Sequence, residues 1–284
     1  MQFEKTAILG VGLLGASLAI ALRQKGMSAC ISGYGRREEN LLRAREKGII
    51  DSYSLTPSGA VQDADLVVFA TPVGTFVEIA AMIKGSLKKG SIQTDVGSVK
   101  GRLVFEMEKI LPRFVGCHPI SGGERSGVEA ASGSLFEGAR CIITKTPKTD
   151  EQAFRAVFDL WSRAGANVEL MDPVLHDEVY ALVSHLPHVI AYSLVNTVRE
   201  SGPELIRFAG QGFKDTTRIA LSSPELWRDI CSMNSGNLVR FIDTFKRNLE
   251  IIQDSLKEGD AQKKTLEREF EAARGLRQSI ENRD

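Results

Sequence analysis

Short apolar runs alternate with amphipathic stretches along the first 172 residues of the chain. The apolar runs predict buried strands at 6–9, 29–34, 65–72, 91–96, 114–117, 140–144 and 167–171. Apolar residues at helical spacing predict intervening helices up to about residue 25, at about 76–83 and 102–110, and around Phe154, Val157, Phe158 and Trp161. This alternation predicts an α/β Rossmann-type domain with a mostly parallel sheet that is covered on both faces.

From about residue 172 onward, helical periodicity replaces the strand pattern. An apolar stripe at spacings of three to four residues comprises Val179, Val183, Leu186, Ile190 and Leu194. Two long amphipathic helices are predicted around 238–252 and 266–280. We therefore expect a dinucleotide-binding domain at 1–172 and an all-α substrate and dimerisation domain at 173–284. Apolar helix faces of this kind favour a homodimer formed through the helical domain.

A glycine-rich turn follows the first predicted strand and opens the first predicted helix. Gly10 permits a tight turn, Gly12 lets the backbone approach a pyrophosphate, and Gly15 lets the helix pack on the strand. The helix N-terminus then faces the phosphates. The alternative is a turn that is merely rich in glycine. From this turn and the loop after the strand at 65–72, the predicted cofactor-binding residues are Gly10, Gly12, Leu13, Leu14, Gly15, Thr71 and Pro72.

The end of the second predicted strand bears on which dinucleotide binds. An NAD-binding fold places an acidic residue about 20 positions past the glycines, where it holds the ribose 2′-hydroxyl. This chain has Gly35 there, followed by Arg36 and Arg37. Paired guanidinium donors match a phosphate, so these arginines favour NADP over NAD. The alternative is that both are ordinary surface residues at a helix start.

Composition and charge narrow the choice of partners. The 36 basic residues balance the 36 acidic residues, which argues against nucleic acid or an anionic membrane as the main partner. The hydrophobic fraction of 43% allows a sizeable core. The first residues lack signal-peptide regions, and the apolar runs are too short to span a membrane. Four cysteines without a Cys-x-x-Cys pair fit reduced thiols, so we expect a cytoplasmic protein.

Two small, polar turns follow predicted strands in the first domain. One spans 94–100, and the other spans 115–127 and contains His118, which we place in a loop after the strand at 114–117. Because sheets of this type place their chemistry at the carboxyl ends of strands, His118 is the predicted reactive residue. Cys117 could pair with it as a nucleophile, but neighbours on an extended chain point to opposite faces.

The second half offers three further candidates for a substrate site. His185 and His188 share a helix face because they are three residues apart, and Pro187 should kink that helix. The pair could line a pocket, could be structural, or could begin a metal site. No nearby carboxylate or cysteine completes a ligand set, so no metal is predicted. Arg218 lies in a hydroxyl-rich turn and is the candidate anion-binding residue.

Six motifs in this order resemble the prephenate/arogenate dehydrogenases of tyrosine biosynthesis. They lie at Gly10–Ser17, Asp95–Lys100, Gly116–Ile120, Ser184–His188, Phe213–Arg218 and Trp227–Ile230, so the resemblance covers essentially the whole chain. It implies oxidative decarboxylation of a cyclohexadienol, with hydride transfer from C4 to NADP or NAD.

The same resemblance implies a role for each candidate residue. His118 accepts the hydrogen bond, and then the proton, of the C4 hydroxyl, and Ser98 holds His118 and that hydroxyl in line. Arg218 binds a substrate carboxylate, and His185 lines the pocket together with His188. The family also dimerises through its helical domain.

The substrate and two rival functions remain open at this point. Prephenate, which would give 4-hydroxyphenylpyruvate, is favoured over arogenate, which would give tyrosine directly. A two-domain β-hydroxyacid or imine reductase usually has a lysine where this chain has His185 and His188. A dinucleotide-sensing protein without activity has no need of the turn around His118.

Overall fold

Two compact units, Met1–Ser235 and Gly236–Asp284, make up the chain. The computed structural model describes residues 2–122, 127–257 and 263–281. The predicted turn at 115–127 is thus described except for 123–126. Among the described residues, no helix combines the length and the apolar character needed to cross a bilayer.

A single sheet of eight strands, counted over the described residues, forms the centre of the first unit. The strands are β1 (Phe3–Leu9), β2 (Ser28–Tyr34), β3 (Ser52–Ser54), β4 (Leu66–Phe69), β5 (Ile92–Asp95), β6 (Phe114–Pro119), β7 (Arg140–Thr144) and β8 (Asn167–Met171). Their order is β3-β2-β1-β4-β5-β6-β7-β8. Neighbouring strands run parallel except β6 and β7, which are antiparallel. The predicted mostly parallel Rossmann-type sheet is confirmed.

Helices cover both faces of this sheet, in which strands β4, β5 and β6 are fully buried. They are α1 (Leu13–Gln24), α2 (Glu38–Glu46), α3 (Pro57–Ala60), α4 (Phe76–Ile83), α5 (Gly101–Ile110) and α6 (Glu151–Ala164). Successive side chains of β1 enter opposite cores: Ile8 packs with α1 and α6, whereas Ala7 and Leu9 pack with α4 and α5. Burial on both sides explains the continuous apolar run of β4, Leu66–Phe69.

Strand β6 extends further than the sequence predicts, and this moves His118 from a loop into the sheet. The predicted strand ends at Cys117, whereas β6 ends at Pro119. The reason is the antiparallel neighbour β7, which pairs His118 with Ile142 and Pro119 with Cys141. The placement of His118 in a loop is therefore wrong. Its position at the carboxyl end of a strand is confirmed.

The first unit continues beyond the sheet as a group of helices. These are α7 (Pro173–Tyr180), α8 (Leu186–Ser201), α9 (Gln211–Thr217) and α10 (Pro224–Met233). Helix α7 packs on α5, and α10 packs on the 3₁₀ turn Val73–Thr75 that follows β4. One π-helical turn, Ala181–His185, joins α7 to α8 just before Pro187. The predicted helical second half is confirmed, with an irregularity close to the proline.

Two described helices make up the second unit: α11 (Ser235–Lys257), whose first residue is the last of the first unit, and α12 (Lys263–Glu281). Helix α12 buries none of its described residues. Large apolar side chains remain exposed on both helices, namely Val239, Leu249, Ile251, Leu256, Phe270, Leu276 and Ile280.

Candidate active site

The turn between β1 and α1 is shaped by its three glycines. Gly10 adopts φ +110°, and a Cβ there would lie 2.5 Å from the carbonyl carbon of Ala70. A Cβ on Gly15 would collide with the carbonyl oxygen of Gly10. At Gly12, by contrast, no described atom lies within 4 Å of such a Cβ. The backbone is therefore tightly packed on one side and open at Gly12, where a ligand can approach it.

The N-terminus of α1 supplies the complementary electrostatics. Gly12 is the N-cap and has no side chain to bond the free amides, and the first turn of α1 contains no acidic residue. Leu13 and Leu14 begin the helix, so their N–H groups and the helix dipole remain available to an anion. These features fit the pyrophosphate of a nicotinamide dinucleotide.

The loop after β4 packs against this turn at Gly10. Thr71 hydrogen-bonds Thr75 through the two hydroxyl oxygens, which are 2.8 Å apart. The Thr75 hydroxyl also lies 2.8 Å from the Pro72 carbonyl oxygen, to which it donates. These bonds hold Thr71 and Pro72 next to Gly10 through Ala70, as expected for residues that line the cofactor site.

Arg36 and Arg37 lie at the carboxyl end of β2, and both are exposed. Arg37 is the N-cap of α2. Arg36 forms an ion pair with Glu225 of α10, with Nη2 3.5 Å from Oε1. The guanidinium predicted to meet a 2′-phosphate thus lies beside a carboxylate of the same unit.

His118 is 8% exposed and is held by a second histidine that the sequence analysis does not single out. Its Nδ1 lies 2.9 Å from Nε2 of His176, and Nδ1 of His176 lies 2.8 Å from Oδ1 of Asp177. Tyr180 packs edge-on against the His118 ring, with centroids 4.9 Å apart. We refer to His118, His176 and Asp177 as the His–His–Asp chain.

The environment of this chain keeps its histidines uncharged at neutral pH. Burial lowers the pKa of His118 well below its usual value, and positive charge on His176, Lys100 or His185 lowers it further. Burial also lowers the pKa of His176, although its bond to Asp177 acts in the opposite direction. A neutral imidazole can accept a proton, which is the role predicted for His118.

Lys100 belongs to a fully buried ion pair at the end of β5. Its ammonium bonds Asp95, whose two carboxylate oxygens also accept the backbone N–H groups of Cys117 (2.8 Å) and Gly97 (2.9 Å). Burial raises the pKa of Asp95, and the Lys100 charge opposes that rise. The Cys117 thiol contacts Thr94, so the Cys117–His118 nucleophile pair gains no support.

His185 ends the π turn and is fully buried. Its Nδ1 lies 3.2 Å from the Asn234 side-chain nitrogen. Its Nε2 has no hydrogen-bond partner of normal geometry among the described residues, although the Ser98 backbone is near enough to raise its pKa slightly. Burial dominates and lowers the pKa of His185 to about 4.

His188 lies one turn further along and stacks on Trp227. The two ring centroids are 3.5 Å apart and the rings are inclined by 20°. Nδ1 of His188 donates to the Ser184 carbonyl, 3.0 Å away. Burial lowers the pKa of His188, and the charge of Arg218 lowers it further. Arg218 is exposed, and it begins a 3₁₀ turn just after α9 that packs on α8.

The predicted site residues thus gather around two centres within the first unit. His118 belongs to the His–His–Asp chain, whereas the charge of Arg218 acts on His188, which stacks on Trp227. The described hydrogen-bond partner of the His118 ring is His176, so the positioning role of Ser98 stays a prediction. His176 carries one usable sequence signal: the chain has only four histidines.

Comparison with known proteins extends this assignment over the whole chain. The family model for the prephenate dehydrogenase nucleotide-binding domain matches residues 18–170, and the model for the prephenate dehydrogenase dimerization domain matches residues 172–271. A prephenate dehydrogenase of Bacillus subtilis is 36% identical over 98% of this chain and 77% of its own length. A cyclohexadienyl dehydrogenase of Zymomonas mobilis is 35% identical over 91% of this chain and 90% of its own length.

A solved structure agrees with these matches in three dimensions. It is that of prephenate dehydrogenase from Aquifex aeolicus in complex with hydroxyphenyl propionate and NAD+. It is 39% identical to this chain, covers 99% of both chains and gives a TM-score of 0.92. The chain belongs to the prephenate dehydrogenase family.

Proposed function

We propose that this protein catalyses the oxidative decarboxylation of prephenate to 4-hydroxyphenylpyruvate, with hydride transfer to a nicotinamide dinucleotide. The observation that carries the proposal is His118, a buried imidazole at the carboxyl end of β6 with Nδ1 already bonded to His176. Burial lowers its pKa, which favours the neutral form that can accept a proton. Relatives that share this chain over most of its length are named prephenate or cyclohexadienyl dehydrogenases. The family match disfavours a β-hydroxyacid reductase or a sensor without activity.

The proposed chemistry asks little of the protein beyond positioning and one proton transfer. A bound nicotinamide dinucleotide supplies the hydride acceptor for C4 of the substrate ring. Because Nδ1 of His118 is engaged by His176, the nitrogen left for the substrate is Nε2. It accepts the hydrogen bond of the C4 hydroxyl and then its proton. Loss of carbon dioxide makes the ring aromatic and supplies the driving force, so orientation is the main remaining requirement.

The second centre is the proposed binding site for a substrate carboxylate. Arg218 supplies a permanent positive charge, and His188 and Trp227 form a stacked, partly apolar wall beside it. The fully buried His185 lies behind this wall, with its ring 5.9 Å from that of Trp227. We propose that Arg218 binds the carboxylate, that His185 and His188 shape the pocket, and that Ser98 aligns the C4 hydroxyl.

The test of this function is the His118→Asn variant. We expect kcat for prephenate to fall about 10²–10⁴-fold, which is the usual contribution of a positioned acid or base. Binding of NAD+ and of hydroxyphenyl propionate, measured by calorimetry, should change little because asparagine keeps a polar group of similar size. A variant that turns over prephenate at the wild-type rate would remove His118 from the mechanism.

Arogenate is the alternative substrate, and it differs from prephenate only in an amino group where prephenate has a keto group. We propose prephenate because the Bacillus subtilis relative is named a prephenate dehydrogenase and the Zymomonas mobilis relative a cyclohexadienyl dehydrogenase. Steady-state turnover on both substrates, with either dinucleotide, decides the question. A higher kcat/KM for arogenate than for prephenate would reverse the assignment.

For the dinucleotide we propose NADP, with NAD as the alternative. Gly35 carries no acidic side chain at the end of β2, and Arg36 and Arg37 provide two guanidinium groups there. A 2′-phosphate would have to compete with Glu225 for Arg36. The Aquifex relative is described with NAD+, which is the reason to keep NAD open. If NADP is preferred, Arg36→Ala and Arg37→Ala should weaken NADP binding and leave NAD binding nearly unchanged.

We also propose a homodimer and a functional boundary near residue 172. Helix α12 leaves Phe270, Leu276 and Ile280 exposed, and such a surface is suited to cover the same surface of a second copy. The two family models meet between residues 170 and 172, at the end of β8, which supports the boundary. Phe270→Asp should shift the mass measured by light scattering from dimer to monomer.

A further inference from the structure

We propose that His176 and Asp177 are positioning residues, which hold the His118 ring in the tautomer that carries hydrogen on Nδ1 and a lone pair on Nε2. The tautomer is a property of the protein without ligands. Its catalytic consequence rests on the function proposed above.

The argument starts at Asp177, which is fixed from three directions. Its Oδ1 accepts the backbone N–H of Lys100 at 2.7 Å, at the start of α5. Gly101 has no side chain, and a Cβ there would collide with Oδ2 of Asp177. The Asn234 side chain donates to the Asp177 carbonyl oxygen at 2.7 Å. The Asp177 carboxylate is therefore a fixed acceptor with a defined direction.

The position of each hydrogen along the chain follows from this acceptor. An ionised carboxylate only accepts, so Nδ1 of His176 donates to Asp177. A neutral imidazole has one N–H, which makes Nε2 of His176 an acceptor. His118 must then donate from Nδ1 across the 2.9 Å contact. A second proton on His176 would make its Nε2 a donor and reverse the bond to His118. This protonation is disfavoured because burial and the Lys100 charge lower the pKa of His176.

Packing prevents the two rings from leaving this arrangement. Tyr180 contacts both imidazoles, with centroid distances of 4.9 Å to His118 and 4.5 Å to His176. Both histidines are buried, and His176 is fully so. The ring of His118 cannot turn over without breaking its hydrogen bond in a site that offers little water to replace it.

The chain also bears on the charge that His118 acquires when it takes a proton. Lys100, His176 and His185 are the cationic or titratable groups that act on His118, and positive charge on each lowers its pKa. The Asp177 carboxylate, one imidazole away, is the nearest anion connected to it by hydrogen bonds. Asp177 therefore stabilises the imidazolium and orients the neutral ring, as an aspartate does for histidine in hydrolase triads.

The first experiment reads the tautomer directly in the protein without substrate. With ¹⁵N-labelled histidine, four ring systems are observed, and His118→Asn assigns the signal of interest. We expect Nδ1 of His118 to have the chemical shift of a protonated nitrogen and Nε2 that of an unprotonated one. The opposite assignment overturns the proposal, whatever the activity. The expected tautomer in a protein that does not oxidise prephenate or arogenate would instead overturn the proposed function alone.

The second experiment perturbs the chain with Asp177→Asn. Oδ1 of Asp177 accepts both the Lys100 N–H and the Nδ1–H of His176. An asparagine that places its amide N–H there gives up the Lys100 bond and reverses every donor along the chain, and one that keeps its oxygen there removes the negative charge that fixes their order. We expect the His118 signals to shift toward the other tautomer and kcat to fall about 10- to 100-fold. This loss is smaller than the about 10²–10⁴-fold rate contribution of a positioned base, because His118 itself is still present. KM should change less than about threefold.

Two further variants separate orientation from charge and from folding. Glu178→Gln removes one negative charge from the same helix outside the His–His–Asp chain, and it should keep the wild-type tautomer and kcat. His176→Gln retains an acceptor for His118 but breaks the link to Asp177, so it should retain more activity than His176→Leu. A positioning role would be contradicted if His176→Gln and His176→Leu lost equal amounts of activity and the His118 tautomer were unchanged in Asp177→Asn.

Discussion

Acidification should destabilise this protein through His185, and the size of the effect can be worked out from its burial. The ring is fully buried, and its pKa in the folded state is about 4, against about 6.5 in an unfolded chain. Above pH 6.5 neither state holds the proton, and the folded protein has its full stability. As the pH falls from 6.5 toward 4, the unfolded chain binds a proton that the folded ring does not. Stability is lost across this window.

At pH 5 the expected loss of unfolding free energy from His185 alone is about 2 kcal/mol. This follows because pH 5 lies about 1.5 units below the pKa in the unfolded chain, and each unit contributes about 1.4 kcal/mol. The pKa values of His118 and His176 are lowered as well, so both add to the loss in the same direction. A marginally stable domain has only about 5–15 kcal/mol in total, so the effect should be easy to measure.

The assay is urea unfolding of the full chain at pH 7.5, 6.5, 5.5 and 5.0, at one protein concentration, because association would otherwise shift the midpoint. The comparison variant is His185→Asn, which keeps an acceptor for the Asn234 side chain but does not titrate. It should be less stable than wild type at pH 7.5 and should lose about 2 kcal/mol less between pH 7.5 and pH 5. The same loss in both proteins would refute the assignment of a buried, neutral His185.

Three further predictions follow from other parts of the site. Arg218→Ala should raise KM for prephenate about 10- to 100-fold with a smaller change in kcat, since a charge-assisted bond contributes about 1.5–3 kcal/mol. An unchanged KM in steady-state assays would show that another cation binds the substrate carboxylate. Gly10→Ala places a Cβ 2.5 Å from the Ala70 carbonyl carbon at φ +110° and should cost about 1–3 kcal/mol. Its thermal midpoint should also respond less to added NAD+ than that of wild type. Lys100→Met leaves Asp95 buried without its cation and should cost about 3–5 kcal/mol in urea unfolding, part of which Lys100→Met/Asp95→Asn recovers.

The sheet and the dinucleotide turn are predictable from the sequence because their causes are local. Burial of a parallel strand on both sides favours a continuous apolar run, which marks β4 clearly. Glycine occurs at three positions between β1 and α1 because a side chain at Gly10 or Gly15 would clash within that turn and one at Gly12 would cover its open side. Strand β3 lacks this signal: Ser52–Ser54 contains no apolar run, and it is a strand only because β2 pairs with it.

The active-site chemistry is only half predictable, because its remaining part depends on contacts between distant segments. His118 is identified by its place after an apolar run, but its presence inside β6 depends on pairing with β7. His176 lies within α7, and the residues next to it in the sequence do not indicate that it contacts His118, 58 residues away. The carboxylate of the adjacent Asp177 is held in place because Gly101 and the start of α5 approach it.

The π turn at Ala181–His185 lies between the two halves of the site. His176 precedes it, and His188 follows it. Relative to regular α-helix, a π turn fits one additional residue into a single turn, so α8 keeps nearly the direction that it would have after a regular helix. Removing the exposed Val183 would restore a regular helix and leave His188 stacked on Trp227. A deletion within regular helix, by contrast, would turn every later side chain by about 100°. This segment is therefore the place between α7 and α8 where the chain can lose one residue without misaligning the two halves of the site.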